Sequence, residues 1–584
     1  MSAIQQLLTD HLDIWTAADT EKKSGRGRSS GTAGSVYGIK KLRELILELA
    51  VRGKLVPQDE NDEPASELLS KIDTGKLKSI KLQLDINDQE KPFELPRGWE
   101  WVNFGSVSEI ERGGSPRPIK SFFTTDEDGL NWIKIGDTDQ GGKYITSTNE
   151  KIKKEGLSKT RMVYPGDFLL TNSMSFGRPY ITKIEGCIHD GWLRISPPEA
   201  LDKDYLYNLL SSPYVRSVFI AAAAGAVVMN LNADKVRDLL IPVPPIIEQH
   251  RIVAKVDELM ALCDQLENQH NNAAVAHEKL VTHLLGTLTQ SQNAEDFNIN
   301  WQRIAAHFDT LFTTEASIDA LKQTLLQLAV MGKLVPQDPN DEPASELIKR
   351  LRTDRSTWLS ENQHNNPECK TMQKKLAALP NAEAPFILPS SWATVHLINC
   401  CRLLVDCHNK TAPYSYSGIP IIRTSNIRER KFRMEDLKYV SEDTYKFWSR
   451  RCLPEPADIM FTREAPMGEA AIIPLGAKYC LGQRTMLIRP MHEFIFNEYL
   501  LITLTEPHLL ERSSDSAIGS TVKHLRVGAV EQLNIPLPPL VEQHRIVAKV
   551  NELMVICDQL KDRITDANQL QQKLADVVIE QAIN

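Results

Sequence analysis

The sequence lacks the short motifs that mark most enzyme active sites. It contains no GxxxxGK[ST] phosphate-binding loop, no GxGxxG turn that opens a helix after a strand, no HExxH and no GxSxG. The [DN]PP[YF] signature of adenine methyltransferases and a clean PD…ExK nuclease cluster are missing as well. A chain of 584 residues without a recognisable active site favours a binding or targeting protein over an enzyme.

Long apolar runs and paired cysteines are also missing. No stretch approaches the roughly 20 apolar residues that cross a bilayer, and the amphipathic start lacks the basic region and apolar run of a secretory signal. The nine cysteines include no CxxC pair. Cys400, Cys401 and Cys407 with His408 have a spacing compatible with a metal site, but free thiols are the favoured interpretation. The sequence therefore predicts a cytoplasmic protein without disulfides.

Charge is distributed unevenly along the chain. The formal net charge of −8 argues at first against a nucleic-acid partner. Residues 97–237, however, hold 18 basic and 17 acidic side chains, and residues 386–535 hold 18 and 16. The acidity lies outside these two mildly basic windows. A solvated surface explains such windows as well as a DNA-binding one does, so charge alone leaves the partner open.

An internal repeat organises the chain as one unit of about 290 residues written twice. Residues 325–348 match residues 46–69 at 19 of 24 positions, and residues 535–560 match residues 241–266 at 20 of 26. The extra residues of the second copy fall in the polar segment before Pro385, which is interpreted as a linker.

Each unit encloses a lobe of nearly equal length, Phe93–Leu240 and Phe386–Asn534, and the two lobe sequences differ widely. A few landmarks survive between them: Trp99 with Trp392, Ser115 with Thr411, Pro165-Gly166-Asp167 with Pro456-Ala457-Asp458, and Gly225 with Gly519. Near-identical flanks around divergent lobes indicate one scaffold that presents two different surfaces.

Within the lobes, short runs rich in Val, Ile, Tyr and Phe are punctuated by Gly and Pro. They predict strands at 132–135, 167–171, 420–424 and 458–462, in twisted sheets. A few helices accompany them, such as Lys203–Leu210 and Glu498–Thr505.

The flanks predict long helices with a coiled-coil seam. After Pro244-Pro245 and its counterpart, apolar residues recur with a strict 4-3 spacing for over four heptads. The predicted seam runs through Ile252, Val256, Leu259, Cys263, Leu266, His270, Ala273, His277, Leu280 and Leu284, and through Ile546, Val550, Leu553, Cys557, Leu560, Ile564, Ala567, Gln571, Leu574 and Val578. The two histidines are interpreted as polar positions that set register, with a ligand or switch role as the alternative. Residues 39–51 and 318–330 predict shorter amphipathic helices.

The segment at residues 21–37 is rich in Gly, Ser and basic residues and is extra in the first copy. A flexible tether is the simpler interpretation. An arm that tracks DNA is the alternative.

Taken together, the duplicated GKLVPQDxNDEPASELL, the duplicated IPxPPxxEQHRIVAKV(D/N)ELMxxCDQL and the two unlike lobes make the chain resemble the specificity subunits of type I restriction–modification enzymes. The resemblance covers nearly the whole chain and is nearest to the enteric members with an extended N-terminal arm. It implies a non-catalytic bacterial DNA-recognition subunit, in which each lobe reads one half of a split, asymmetric DNA site.

The implied fold class is α/β, with two α+β target-recognition lobes separated by an antiparallel coiled coil of long helices. Parallel helices would crowd both lobes at one end, whereas antiparallel pairing about a pseudo-twofold axis separates them. The expected domains are an N-terminal arm and first conserved region (1–92), a first recognition domain (93–240), a central conserved region with a long helix and linker (241–384), a second recognition domain (385–534) and a C-terminal conserved helix (535–584).

The resemblance places DNA contacts in the loop after the first strand of each lobe and in later loops. The expected DNA-binding residues are Ser115, Arg117, Lys120, Asn172, Ser173 and Arg178 in the first lobe, and Lys410, Thr411, Arg423, Ser425, Asn426, Arg428 and Arg463 in the second. Arginine suits guanine and asparagine suits adenine through paired hydrogen bonds. Contact with a phosphate, or simple exposure, is the alternative for each residue.

The implied partners are double-stranded DNA, two modification subunits that methylate adenine, and restriction/translocase subunits in the full complex. S-adenosylmethionine, ATP and Mg belong to those partners, and no cofactor or metal is expected in this chain. A free-standing regulator that binds bipartite DNA and a scaffold whose lobes bind two proteins are the rival interpretations.

Overall fold

The computed structural model describes residues 12–17, 36–71, 91–138, 142–172, 176–196, 200–223, 231–292, 294–408, 410–512, 517–518 and 524–583. Most of the Gly/Ser-rich segment, together with Ser173, Gly225 and Gly519, lies outside these ranges. The chain divides into two compact units, residues 1–273 with 567–584, and residues 274–566. In the described ranges, every helix is too short or too polar to cross a membrane.

The first lobe closes on itself through its entry and exit strands. Glu100–Asn103 pairs antiparallel with Leu240–Val243, so that Glu100 lies opposite Val243. Between them lie two five-stranded sheets, ordered Phe123–Thr124, Glu150–Ile152, Leu130–Ile133, Gly186–Ile188, Arg161–Val163 and Glu109–Arg112, Trp192–Ser196, Phe168–Thr171, Pro179–Thr182, Tyr144–Ile145. The helices of this lobe include Phe104–Val107, Lys203–Ser211, Pro213–Ala223 and Ala233–Arg237.

The second lobe repeats this closure. Ala393–His396 pairs antiparallel with Asn534–Leu537. Its two larger sheets are ordered Cys401–Asp406, Thr485–Pro490, Ile459–Thr462, Ala470–Ile472 and Lys438–Val440, Ile419–Ile422, Cys480–Leu481. Two further antiparallel strand pairs are Ile427–Arg428 with Lys431–Phe432 and Ala517–Ile518 with His524–Leu525. Its helices include Glu442–Trp448, Asn497–Leu504, Leu509–Arg512 and Val527–Glu531. The four predicted strands and both predicted lobe helices overlap observed elements.

Further helices lie outside the two lobes in the described chain. They are Leu12–Ala17, Tyr37–Val51, Ala65–Ser70, Ile246–Gln290, Ala294–Ala305, Phe308–Leu311, Glu315–Val330, Ala344–Asn362, Glu368–Ala377 and Leu540–Ile583. The first and second long helices, Ile246–Gln290 and Leu540–Ile583, have 45 and 44 residues. The predicted fold class, mixed α/β lobes with long helices in a duplicated chain, is confirmed.

Each long helix begins in one unit and ends in the other. In the first unit, Ala575 near the end of the second long helix shares a hydrophobic cluster with Leu259 near the start of the first. In the second unit, Val281 near the end of the first long helix shares a cluster with Val550 near the start of the second. The start of one helix therefore meets the end of the other in both units, as antiparallel pairing requires.

The strict 4-3 seam is wrong in the second half of both long helices. Its early members Ile252, Val256, Leu259 and Cys263 are fully buried, as predicted. Leu280 and Leu574, however, are 49% and 43% exposed, whereas the next residues, Val281 and Ala575, are buried. An α-helix with 3.6 residues per turn drifts by about 20° per heptad against a 3.5-residue repeat. Over four heptads this drift moves the buried face by nearly one residue.

The predicted linker before Pro385 is also wrong, because most of it forms the helices Ala344–Asn362 and Glu368–Ala377. Leu351 and Met372 belong to the hydrophobic core of the second lobe. The buried Arg355 donates from Nη1 to the carbonyl oxygen of Asn399 at 2.7 Å. The sequence predicted a linker because the apolar residues at helical spacing lie among many polar ones. The two helices are part of the packing of the second lobe.

Candidate nucleic-acid interface

The two repeated sequence motifs contact each other, and this contact is made twice. Gln58 Nε2 donates to Glu248 Oε1 at 3.1 Å in the first unit, and Gln337 Nε2 donates to Glu542 Oε1 at 3.1 Å in the second. Both glutamates are almost fully buried, and burial raises the pKa of both carboxyls. A buried carboxyl requires a hydrogen-bond donor, which explains why the motifs occur together.

An ion pair strengthens the same contact. Arg251 pairs with Asp62 at 2.5 Å, and Arg545 pairs with Asp341 at 2.6 Å. Each arginine donates from two nitrogens to the two carboxylate oxygens, a geometry that fixes orientation as well as distance. The start of each long helix is therefore held by the GKLVPQD loop of its own unit.

The same loops also hold the ends of the long helices. Lys54 Nζ donates to the carbonyl oxygen of Ile583 at 2.6 Å, and Lys333 Nζ donates to those of Thr289 and Ser291 at 2.6 and 2.8 Å. The last carbonyls of a helix lack partners within the helix, and a cation there is favourable. Each loop thus clamps the start of one long helix and the end of the other.

The glutamine of each EQ pair attaches the lobe to its long helix. Gln249 accepts from the Asp202 N–H at 2.7 Å and donates to the Ala200 carbonyl at 3.1 Å. Gln543 accepts from the Phe496 N–H at 2.8 Å. Both glutamines are fully buried, so each lobe is fixed where its long helix begins.

The predicted first loop of the first lobe is fixed by Asp190. Ser115 Oγ donates to Asp190 Oδ1 at 2.6 Å, and this hydrogen bond is the main reason that the pKa of Asp190 is lowered. Arg117 reaches the same carboxylate at 3.6 Å while its side chain stays 82% exposed. Lys120 is exposed on the next turn. The loop therefore has a fixed base and presents two cations to solvent.

The equivalent loop of the second lobe is built in the same way with different residues. Thr411 Oγ1 donates to Gln483 Oε1 at 3.3 Å, and Gln483 lies in the turn that corresponds to that of Asp190. The Lys410 backbone N–H donates to His408 Nδ1 at 3.2 Å, and the Lys410 side chain is exposed. The sequence landmark of Ser115 with Thr411 thus marks equivalent loops.

Two of the expected base contacts, Asn172 and Asn426, have side chains committed to the fold. Asn172 is 2% exposed, and its Nδ2 donates to the carbonyl oxygen of Asp190 at 2.7 Å. Asn426 is 2% exposed, and its Nδ2 donates to the Arg433 and Glu435 carbonyls at 3.3 and 3.2 Å. Since neither amide is accessible, this geometry argues against base contacts and assigns both residues a positioning role.

The turn that contains Asn426 has a counterpart in the first lobe that sequence reasoning missed. The Arg423 N–H donates to Asn426 Oδ1 at 3.2 Å, and the Lys134 N–H donates to Asp137 Oδ2 at 2.8 Å. Lys134 therefore occupies the position of Arg423. It is ion-paired with Glu150 at 3.0 Å, and no local sequence similarity marks the equivalence.

The remaining arginines around this turn differ from Arg117 in being held by backbone. Arg423 Nη2 donates to the Asp436 carbonyl at 2.8 Å, and Arg428 Nη1 donates to the Thr424 carbonyl at 2.6 Å. Ser425 is exposed between them. These arginines support the turn that presents Ser425.

A matched hairpin carries the later predicted contacts. Thr171 Oγ1 accepts from the Arg178 N–H at 2.9 Å, and Thr462 Oγ1 accepts from the Glu469 N–H at 3.0 Å. Gly177 precedes Arg178 at φ 72°, and Gly468 precedes Glu469 at φ 90°, a conformation that favours glycine. The two lobes thus share one hairpin frame, in which Arg178 is among the DNA contacts expected from the sequence and Glu469 is not.

Arg463 follows the threonine of the second hairpin, as Asn172 does in the first. Its Nη1 donates to the Leu525 carbonyl at 3.2 Å, and its N–H donates to the Arg484 carbonyl at 3.0 Å. The side chain is half-buried, so the guanidinium is partly occupied by the fold. Ser173 lies outside the described residues.

A cleft of about 860 Å³ lies beneath the first loop of the first lobe. Ser115 and Arg117 form part of its rim, and Phe123, Trp132 and His189 form part of its walls. Burial is the main reason that the pKa of His189 is lowered. The imidazole is therefore neutral at pH 7, and the cleft wall is largely apolar.

The cysteine group at 400–407 is part of the core of the second lobe. All nine cysteines are buried, and none forms a disulfide. Burial raises the pKa of Cys400 to about 12, so its thiol is protonated at neutral pH. His408 stacks against Trp448 with ring centroids 4.6 Å apart. Within the part of the chain that the structure describes, no three His, Cys, Asp or Glu residues are grouped as metal ligands.

Comparison with known proteins agrees with this duplicated arrangement. Residues 96–275 and 398–567 match the family model of the type I restriction modification DNA specificity domain. The chain is 36% identical to the type I restriction enzyme EcoAI specificity subunit of Escherichia coli and 35% identical to the EcoEI specificity subunit of the same species. Both alignments cover all of this chain and all of the relative.

Among solved structures, the HsdS subunit from Thermoanaerobacter tengcongensis is 19% identical, with a TM-score of 0.39 over 85% of this chain and 99% of that one. The family model covers more than half of the residues, and the EcoAI and EcoEI alignments span the full length. The chain therefore belongs to the specificity subunits of type I restriction–modification enzymes.

Proposed function

We propose that this specificity subunit directs its complex to an asymmetric, bipartite DNA target, with residues 93–240 and residues 385–534 as the two recognition domains. The observation that carries the proposal is the repeated frame. The first loop, the short turn and the hairpin have equivalent hydrogen bonds in both lobes, yet the side chains that they present differ. One frame with two sets of side chains suits two different half-sites.

Exposed cations at the loop tips support double-stranded DNA as the ligand. Arg117 is 82% exposed, and Lys120 and Lys410 are exposed in equivalent loops. Such cations supply affinity through phosphates, whereas contacts with base edges supply specificity. The net charge of −8 does not oppose this role, because basic residues slightly outnumber acidic ones in the two lobes and the net negative charge lies outside them.

As a specificity subunit, the chain is a recognition component of a larger assembly and not a catalytic one. We propose that the long helices and their clamping loops dock two modification subunits, and that restriction/translocase subunits join the full complex. S-adenosylmethionine, ATP and Mg act in those partners. Duplication of the helical scaffold provides two equivalent docking surfaces, which suits two copies of one partner.

The long helices are also proposed to set the gap between the half-sites. Arg251 and Thr289, at the two clamped ends of the first long helix, are 38 residues apart, and so are Arg545 and Ile583 in the second. At about 1.5 Å per residue, each clamped stretch is about 57 Å long. Two rods of equal length favour a fixed spacing.

Reconstitution tests the proposal. The purified chain with S-adenosylmethionine should transfer no methyl group and cut no DNA, whereas addition of the modification subunits should yield adenine methylation at one bipartite motif. Methylation by the highly purified chain alone would contradict the non-catalytic role. Tight site-specific binding by the chain alone favours a free-standing regulator, and no DNA dependence with either partner favours a protein scaffold.

A further inference from the structure

Arg178 and Glu469 occupy the same backbone position in the two hairpins. Each follows a glycine, each donates its N–H to the threonine hydroxyl seven residues earlier, and each accepts from that threonine's N–H, at 3.1 Å for Arg178 and 2.8 Å for Glu469. The hairpin therefore directs both side chains from an equivalent point. Opposite charges at this point are the largest chemical difference between the two frames.

The guanidinium of Arg178 is positioned without being neutralised. It lies over the ring of the buried Tyr180, 5.3 Å from the ring centroid. Within the described ranges, it forms no ion pair with a carboxylate. An aromatic ring restrains an arginine but leaves its donors available, so Arg178 can form a bidentate contact.

The carboxylate of Glu469 is also held in place without being neutralised by a cation. Its Oε2 accepts from the Glu429 N–H at 2.9 Å, and no described lysine or arginine forms an ion pair with it. The side chain is half-buried. One oxygen is thus fixed by backbone, and the other remains an acceptor.

The charge of Glu469 distinguishes base contact from phosphate contact. A carboxylate repels DNA phosphates, so an unpaired glutamate in a DNA-binding hairpin is unfavourable unless a base donates to it. Glutamate accepts from N4 of cytosine, and arginine donates to O6 and N7 of guanine. A phosphate contact therefore accounts for the arginine but not for the glutamate, whereas base contacts account for both.

We infer that Arg178 and Glu469 are matched specificity determinants, and that each selects a G·C pair in its own half-site, Arg178 through guanine and Glu469 through cytosine. The inference rests on the proposed function. It adds Glu469 as a base-reading residue and defines the base chemistry at one equivalent step of each half-site.

The test replaces each residue by glutamine in the full chain with its modification subunits. Methylation is measured on a DNA library randomised at every position of the wild-type motif. Glutamine pairs with adenine through two hydrogen bonds. Arg178→Gln should therefore lower the preference for G·C over A·T about tenfold or more at one position of the first half-site, and Glu469→Gln should do so at one position of the second.

Two controls match the charge change without touching the hairpins. Arg161→Gln removes an exposed cation paired with Glu111 at 3.5 Å, and Glu442→Gln removes an exposed carboxylate paired with Lys478 at 2.9 Å. Neither should change the preference at any position. The wild-type gap and the half-site of the other lobe should also stay the same in every variant.

A partial loss of methylation that is equal on all sequences would overturn the inference, because a phosphate contact predicts that result. Unchanged preferences at full activity would overturn it as well. If the glutamine variants lose all activity, Arg178→Lys and Glu469→Asp keep the charge and should retain methylation with weakened preference at the same position; their inactivity on every sequence counts as a folding role. A wild-type complex without a bipartite motif would instead contradict the proposed function itself.

Discussion

Ser115 donates a hydrogen bond to Asp190 at 2.6 Å, and this contact joins the first loop of the first lobe to the turn before its last long strand. Thr411 and Gln483 join the same two segments in the second lobe at 3.3 Å. The lobes differ widely in sequence, yet their loops are connected in one way. The two lobes therefore present different side chains on loops that are joined in the same way.

Asn172 and Asn426 are expected to matter for stability. Replacing either by alanine removes the hydrogen bonds that its buried amide donates to backbone carbonyls, and each such loss costs about 0.5–1.5 kcal/mol. Chemical denaturation of each variant should show this loss. Ser425→Ala, at an exposed position of the same turn as Asn426, should change stability by less than about 0.5 kcal/mol. Equal stability of Asn172→Ala and the wild type would contradict the positioning role.

Lys120 is expected to contribute to affinity rather than specificity. With the modification subunits present, Lys120→Ala should weaken binding to all DNA sequences alike and reduce the slope of log K against log salt by about one. Lys349→Ala removes an exposed lysine paired with Glu346 at 2.7 Å on a helix outside the loops, and it should leave the slope unchanged. A change in the preferred bases, with no change in slope, would contradict a phosphate contact.

His189 predicts a pH dependence of stability. Burial lowers its folded-state pKa below that of an unfolded histidine, so the unfolded chain binds the proton first as pH falls. The resulting stabilisation is present above about pH 6.5 and is lost as pH falls toward the folded pKa. Thermal midpoints between about pH 8 and pH 5 should therefore fall more steeply for the wild type than for His189→Gln. Parallel curves would show that this histidine does not titrate differently on folding.

The long helices are expected to act as a ruler. Inserting one heptad after Leu266 and another after Leu560 keeps the helical pairing and adds about 10 Å to each helix, or close to three base pairs. The non-specific gap should grow by about one to three base pairs, since the accompanying rotation of the half-site absorbs part of the change. Methylome sequencing measures the gap. Full activity with an unchanged gap would mean that other elements set the distance.

The sequence predicted the features that depend on local pattern or on the repeat itself. The helices around Ile39–Val51 and Ile318–Val330, the lobe strands and the equivalence of Ser115 with Thr411 all follow from such patterns. Burial at Val281 instead of Leu280 was missed because a small angular drift accumulates over several turns.

The remaining differences depend on contacts between distant segments. Nothing near Asn172 in the sequence shows that its amide meets the Asp190 carbonyl, and nothing near Glu469 shows that it occupies the position of Arg178. The pairing of Gln58 with Glu248 was equally hidden, although both belong to motifs that the repeat had singled out. Residue type suggested the chemistry, but only the fold determined which side chains remained available for it.

The most direct test of the account exchanges one lobe and reads the methylated motif. Residues 93–240 are replaced by the corresponding lobe of a relative with a different target, the complex is assembled with its own modification subunits, and the methylome is sequenced. If each lobe reads its own half-site, one half-site changes while the other half-site and the gap stay the same. A palindromic motif, or an exchange that alters both half-sites, would contradict the claim that each lobe reads its own half.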